Sequence, residues 1–262
     1  MGVLPWVWWY GVRRHTAYPL GSATEAVTNT VFGFMRAYVL IALWQVRPSL
    51  GGYDEIDAVT FCFLTQALIG PVQIFGGMDL TERIRNGDVA IDLHRPAGLQ
   101  GWWLADDLGR AAGSLLLRAG PPLLAGALVF PFRRPAPLNL AAFAVALVLA
   151  VTVSFALRYL VAMGMFWLHD DRGLSAVTLV MSLFFSGMIL PLVVFPGALG
   201  DTARALPWAA MIQVPADVFL GRYGRAGVAG ALAFQAAWAA ALLGAGALVT
   251  RAARRKLVVH GG

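Results

Sequence analysis

The chain has 262 residues, of which 59% are apolar and only 13% charged, with a mean hydropathy of +0.69. A soluble domain carries about a quarter of its residues as charges, so this chain lacks the polar surface that water demands and reads as an all-α integral membrane protein. Its formal charge of +6 comes from 19 arginines and Lys256, scattered between apolar stretches. That pattern excludes a nucleic-acid face, and a single cysteine, Cys62, excludes an intrachain disulfide.

In chain order, Trp6, Trp8, Trp9 and Tyr10 precede Arg13, Arg14 and His15, which is the reverse of a secretory signal. Residues 1–25 therefore read as an interfacial segment, with rings at headgroup depth and arginines in the cytoplasm. Six membrane helices follow at about 26–46, 59–75, 108–130, 138–168, 174–195 and 226–250, the second short and the fourth long for a bilayer of about 30 Å. Six crossings put both termini on one side. Cytoplasmic termini place Arg13, Arg14, Arg83, Arg85, Arg95, Arg172, Arg251, Arg254, Arg255 and Lys256 inside, against Arg47, Arg133, Arg134, Arg204, Arg222 and Arg225 outside. This asymmetry favours cytoplasmic termini in a multi-pass protein of the cell membrane.

Two connections are too long to be turns within this single domain, residues 1–262. The cytoplasmic loop 76–107 holds Asp79, Glu82, Arg83, Arg85, Asp88, Asp92, His94 and Arg95, the most charged stretch of the chain and a natural dock for a soluble partner. The outer connection 196–225 contains Pro196, Pro207 and Pro215 around an apolar run, so it is expected to dip into the membrane as re-entrant helices rather than cross. The Asp170-Asp171-Arg172 turn, with His169 beside it, reads as a solvated loop rather than a metal site.

The missing chemistry is informative. Lys256 is followed by Leu257, so no Gly-Lys-Ser/Thr phosphate loop exists and this chain cannot hydrolyse ATP by that route. No His-Glu-x-x-His run is present, the histidines fall outside the spans, and Glu25 is the only carboxylate placed near a span interior. A catalytic pair is therefore not expected, and Ser114, Ser154, Ser182 and Ser186 read as packing hydroxyls. What the spans do contain is Arg36, Arg118 and Arg158, each about ten residues from a span end. An arginine at membrane depth costs about 2.5 to 3.5 kcal/mol, so each needs a reason: a cavity for an anionic or zwitterionic headgroup, or snorkelling, carbonyl bonding or pairing with a carboxylate such as Glu25. Gly227, Gly230, Gly244 and Gly246 allow close helix approach, within the chain or against a second subunit.

Ile84, Gly87, Val89, Leu93, Arg95 and Pro96, followed later by Leu190-Pro191, Phe195-Pro196, Leu206-Pro207-Trp208, Gln213-Val214-Pro215 and Gly221, resemble the permeases of type-two ATP-binding cassette exporters. The pattern is similar to a viologen- or drug-exporter branch. The resemblance implies a half-transporter that pairs with a second permease, identical or paralogous, and with two separate nucleotide-binding ATPase subunits. ATP and Mg would then sit on the partner, with no cofactor in this chain. It further implies that Glu82, Arg83, Arg85, Gly87, Asp88, Asp92 and Arg95 couple to the ATPase, and that the cargo is a drug, antibiotic or lipid; a path for that cargo is the functional reading of Arg36, Arg118 and Arg158, beside the structural one. Buried arginines fit a cationic dye poorly. A non-transporting membrane scaffold is the alternative from a different class.

Overall fold

The computed structural model describes residues 2–17, 19–95, 97–168 and 172–260. Pro96 of the family-like motif, and His169, Asp170 and Asp171 at the turn read as a solvated loop, lie outside that set. Among the described residues the fold is entirely helical. Helix α1 (Leu4–Thr16) lies against α6 (Leu99–Ser114), with Trp6, Trp8, Trp9 and Tyr10 on its exposed face and Val7, Gly11 and Val12 buried. Two glycines set the spacing. A Cβ on Gly109 would fall 2.1 Å from the Trp8 carbonyl oxygen, and one on Gly11 2.6 Å from that of Asp106. Helix α2 (Pro19–Val46) then absorbs residues 19–25, which the sequence alone assigns to the interfacial segment.

Helix α3 (Glu55–Val72) is the centre of the molecule, buried over most of its length between α2, α6, α7 (Gly120–Val129) and α8 (Pro137–Leu168). Its start is fixed by a capping box, in which Asp54 Oδ1 accepts from Asp57 N (2.7 Å) and Asp57 Oδ2 from Asp54 N (3.3 Å). Its end is set by Pro71, which has no N–H, and by Gln73 in a left-handed conformation (φ +55°). Phe61, Phe63, Leu64 and Leu68 fill the core around it, packed against Trp44, Tyr53, Val153 and Ile212.

The loop read as 76–107 is shorter than its sequence suggests. Helices α4 (Asp79–Arg85) and α5 (Val89–Leu93) occupy it, and α6 already starts at Leu99, so the apolar pattern of the third span extends two turns back through Trp102 and Trp103. Helix α6 runs through a π turn (Leu115–Ala119) into α7. Pro121 and Pro122 follow that turn, and their missing N–H groups leave the carbonyls four residues back without α-helical donors, which favours the wider winding.

Among the described residues five helical stretches are long and apolar enough to cross a bilayer: Ala23–Val46, Glu55–Val72, Leu99–Val129, Pro137–Leu168 and Gly224–Arg255. The remaining expected span, 174–195, forms α9 (Arg172–Phe185), a 14-residue helix that stops where Gly187 takes φ +87°. Beyond it the chain passes through a 3₁₀ turn (Leu192–Val194) into α10 (Gly197–Ala205) and α11 (Gln213–Leu220). Helix α11 packs on α8 and α3, with Ala216 and Val218 fully buried, so much of the connection 196–225 is interior. Gln213 ties it together: its backbone N–H donates to Ser186 O (2.9 Å) and its Oε1 accepts from Leu192 N (2.8 Å). Helix α12 (Gly224–His260) lies along α8. A Cβ on Gly246 would meet Gln100 and Tyr159, so this glycine serves packing within the chain, whereas Gly230 and Gly244 face open space.

Candidate functional site

Helices α4 and α5 form a unit with two faces. Leu80 and Val89 are buried in a core with Leu99, Trp103, Phe155, Tyr159 and Met163, which mounts the unit on α8. Asp92, completely buried, accepts from Arg83 Nε (2.6 Å) and Nη2 (3.0 Å) and pairs with Arg95 Nη2 (2.7 Å), while the Arg95 guanidinium lies 4.0 Å over the Trp102 ring. The Asp92 carboxylate holds the Arg83 guanidinium above its usual range. This clamp fixes α5 to α4 and to the start of α6. On the opposite face Glu82, Arg85, Asn86, Gly87, Asp88 and Ile91 are exposed, Ile91 at 68%. Glu82 there accepts from Arg85 Nη1 (2.8 Å) and Asn86 Nδ2 (3.0 Å), and Gly87 makes the turn between the helices at φ +82°. The coupling residues named from sequence thus divide: Arg83, Asp92 and Arg95 brace the unit, and Glu82, Arg85, Gly87 and Asp88 present it.

Behind this unit lies a buried ion cluster. Asp107 Oδ1 accepts from Arg110 Nε (2.8 Å) and Arg158 Nη1 (3.2 Å), and Oδ2 from Arg158 Nη2 (2.8 Å). Arg110 also donates to the carbonyls of Gly70 (2.8 Å) and Pro71 (2.9 Å), and Arg158 to Gln73 Oε1 (3.0 Å). Two guanidiniums and one carboxylate leave a net positive charge beside the last carbonyls of α3, where the helix dipole is negative. The cluster joins α3, α6 and α8 at one point. Glu25 is therefore not the only carboxylate near a span interior. Asp107 is another, hidden from the sequence reading because α6 begins two turns earlier than its apolar run.

The three membrane arginines are not gathered in one place. Arg158 belongs to the ion cluster and borders a cleft of about 210 Å³ between α8 and α9. Arg118, on the π turn, pairs with Glu25 Oε2 at 2.6 Å in a separate cleft of about 520 Å³. Arg36 lies between α2 and α3, donating from Nη1 to Thr65 Oγ1 (3.2 Å) and from Nη2 to Ile189 O (3.4 Å), while its Nε is buried without a partner.

At the other end of α3, Arg133 Nε donates to Asp57 Oδ1 (2.7 Å) and its Nη2 pairs with Asp54; Arg222 approaches Asp57 at 3.6 Å. Asp54 is partly desolvated, which pushes its carboxyl up, but the Asp57 N–H and Arg133 outweigh this and hold it below the usual range. Beside it, Tyr53 donates to Asp217, and Gln213 Nε2 donates to both Tyr53 Oη (3.0 Å) and Asp217 Oδ2 (3.0 Å). Sequence reasoning missed this second cluster, although the prolines around Gln213 signalled a folded connection.

Among the described residues no group of His, Cys, Asp and Glu is placed to hold a metal ion. Searches of curated proteins and of solved structures return no match. A family model does match: ABC-2 family transporter protein, over residues 30–261. That match runs from within the first long apolar helix through the other four, and takes in the α4–α5 unit and the buried connection. The chain is a multi-pass membrane protein that belongs to the ABC-2 transporter family, as a membrane subunit of the kind that works with separate ATP-binding subunits.

Proposed function

We propose that this chain is the permease half of an exporter that moves a small amphipathic compound, a drug, antibiotic or lipid, out of the cell, driven by ATP and Mg on a separate nucleotide-binding subunit. It pairs with a second permease, and both termini face the cytoplasm. The observation that carries this reading is the construction of the α4–α5 unit, braced from inside by Asp92 and exposed through Glu82, Arg85, Asp88 and Ile91. A charged ridge with one apolar contact, fixed rigidly to a membrane helix, suits transmission of force from a docked subunit. Force on α4 passes to α8, then through Arg158 and Asp107 to α6 and the end of α3. ATP-driven closure of the partner pair then shifts the helices between two packings. Arg36, Arg118 and Arg158 contact cargo along the path.

Purification of the chain from its native membrane in mild detergent tests this. We expect a co-purifying subunit with a phosphate-binding loop and vanadate-sensitive ATPase activity. Glu82→Ala with Arg85→Ala should leave the abundance of the permease unchanged while lowering cargo-stimulated ATPase at least tenfold, since both side chains are exposed and pair with each other. Recovery of the chain without an ATP-binding partner would overturn the reading. Export and cargo range unchanged by Arg36→Ala with Arg118→Ala would remove those arginines from the path.

A further inference from the structure

The 520 Å³ cleft at the inner end of α2 and α3 is walled by the 24–29 stretch of α2, by Ile69, Gly70 and Gln73, and by the helix face bearing Arg110, Ser114 and Arg118. Four observations describe its chemistry. Arg118 and Glu25 meet across it at 2.6 Å, with Glu25 more than half exposed. Arg110 adds no free charge, being held by Asp107 and two carbonyls. Burial holds the His15 imidazole below its ordinary range, which disfavours a further positive charge beside the cleft. Ser114, only 4% exposed, carries a buried hydroxyl with no hydrogen-bond partner, and Gly70 leaves room for it, since a Cβ there would fall 2.3 Å from Ser114 Oγ.

A buried hydroxyl without a partner costs about 1 to 3 kcal/mol, so a ligand oxygen beside Ser114 would offset that cost. The ion pair defines the rest of that ligand. A lone anion at Arg118 would have to displace Glu25 and leave two negative groups side by side. A lone cation at Glu25 would face Arg118. A molecule with one group of each sign instead exchanges one ion pair for two and buries no net charge.

We propose that this cleft binds the zwitterionic head of an amphiphile: a phosphate or carboxylate on Arg118 and Ser114, and an ammonium on Glu25. Ile69 and Phe75 border the cleft and supply apolar surface for the adjoining chain. The π turn is what makes this geometry, because it sets Arg118 on the side of α6–α7 that faces Glu25. The inference deepens the reading of Arg118 as a cargo contact and rests on it, but its test is binding alone. Absent binding would leave ATP-driven export standing, and absent transport with intact binding would remove the path.

The full chain is reconstituted in nanodiscs of equimolar phosphatidylethanolamine and phosphatidylglycerol, and retained lipid is counted by native mass spectrometry after release into mild detergent. We expect about tenfold retention of phosphatidylethanolamine over phosphatidylglycerol, the margin of one charge-assisted contact. Glu25→Gln with Arg118→Gln should reduce that ratio to near one. Ser114→Ala, which removes only the partnerless hydroxyl and keeps the ion pair and fold, should weaken retention about fivefold. Millimolar O-phosphoethanolamine separates two sources of the same chemistry: competition assigns the cleft to zwitterionic heads in general, and enrichment without competition assigns it to the bilayer lipid. Equal retention of the two lipids, or a preference that survives both sets of substitutions, overturns the proposal.

Discussion

Asp107 is the counter-charge of two guanidiniums that are themselves buried, Arg110 and Arg158. Asp107→Ala would leave Arg110 and Arg158 buried together without a counter-charge, and breaking one side of such a cluster costs about 3 to 5 kcal/mol. The variant should be depleted from the membrane and melt well below the parent in detergent. Replacing Asp107 and Arg158 together, by Asn and Met, should recover much of the loss, since Arg110 keeps its bonds to the Gly70 and Pro71 carbonyls. His15 offers a test by pH. Burial lowers its folded-state pKa below the usual value of 6.5, so between these values the unfolded helix binds the extra proton and stability rises with pH. The contribution of His15 is present above about pH 6.5 and is lost as pH falls through the folded value. Proteolytic release of α1 should therefore increase on acidification from neutral pH, and His15→Gln should flatten that dependence, with Arg14, Arg110 and Asp106 unchanged around it.

At the scale of elements, the α1–α6 contact depends on two glycines that a longer side chain cannot replace. Gly109→Val would drive a branched side chain into the Trp8 carbonyl, so α1 should detach while the long helices stay inserted; protease accessibility of residues 4–16 reads this directly. The elements also show which parts of the sequence were legible. Hydropathy located the long helices, because an apolar run of about 20 residues has few other uses. It misplaced the start of α6, because residues 99–107 bury Trp103 and Asp107 against protein rather than lipid, and a span that faces protein can carry charge where lipid would forbid it. The length of α9 was equally hidden. Residues 186–195 are apolar enough to continue a helix, yet Gly187 and Pro191 bend them into a turn that Gln213, 21 or more residues away, holds in place. The division of 82–95 into bracing and presenting residues was invisible too, since the charges are the same type and only the fold decides which of them Asp92 captures.

Across the whole molecule, α3 is fastened at both ends by charge: the Asp54–Asp57 pair with Arg133 at one end, and Arg110 with Arg158 at the other. A helix held this way moves with its neighbours or not at all, which suits rigid-body shifts better than bending. Cross-linking through cysteines at Gly70 and Ser114 should lock the relation of α3 to α6, and in the assembled transporter it should abolish cargo-stimulated ATPase without preventing assembly.

The 14 residues of α9 rise about 21 Å, roughly two thirds of a 30 Å hydrocarbon layer. Where its outward side chains, Val177, Val180 and Phe184 among them, face lipid, a bilayer of that thickness would thin locally to meet them. Such a shallow point would lie next to the cleft bordered by Arg158. There a polar headgroup would have a shorter distance to travel between leaflets than beside the long helices. Lengthening the acyl chains of a reconstituted bilayer should steepen that dimple and slow turnover, while a bilayer already thin should leave turnover unchanged.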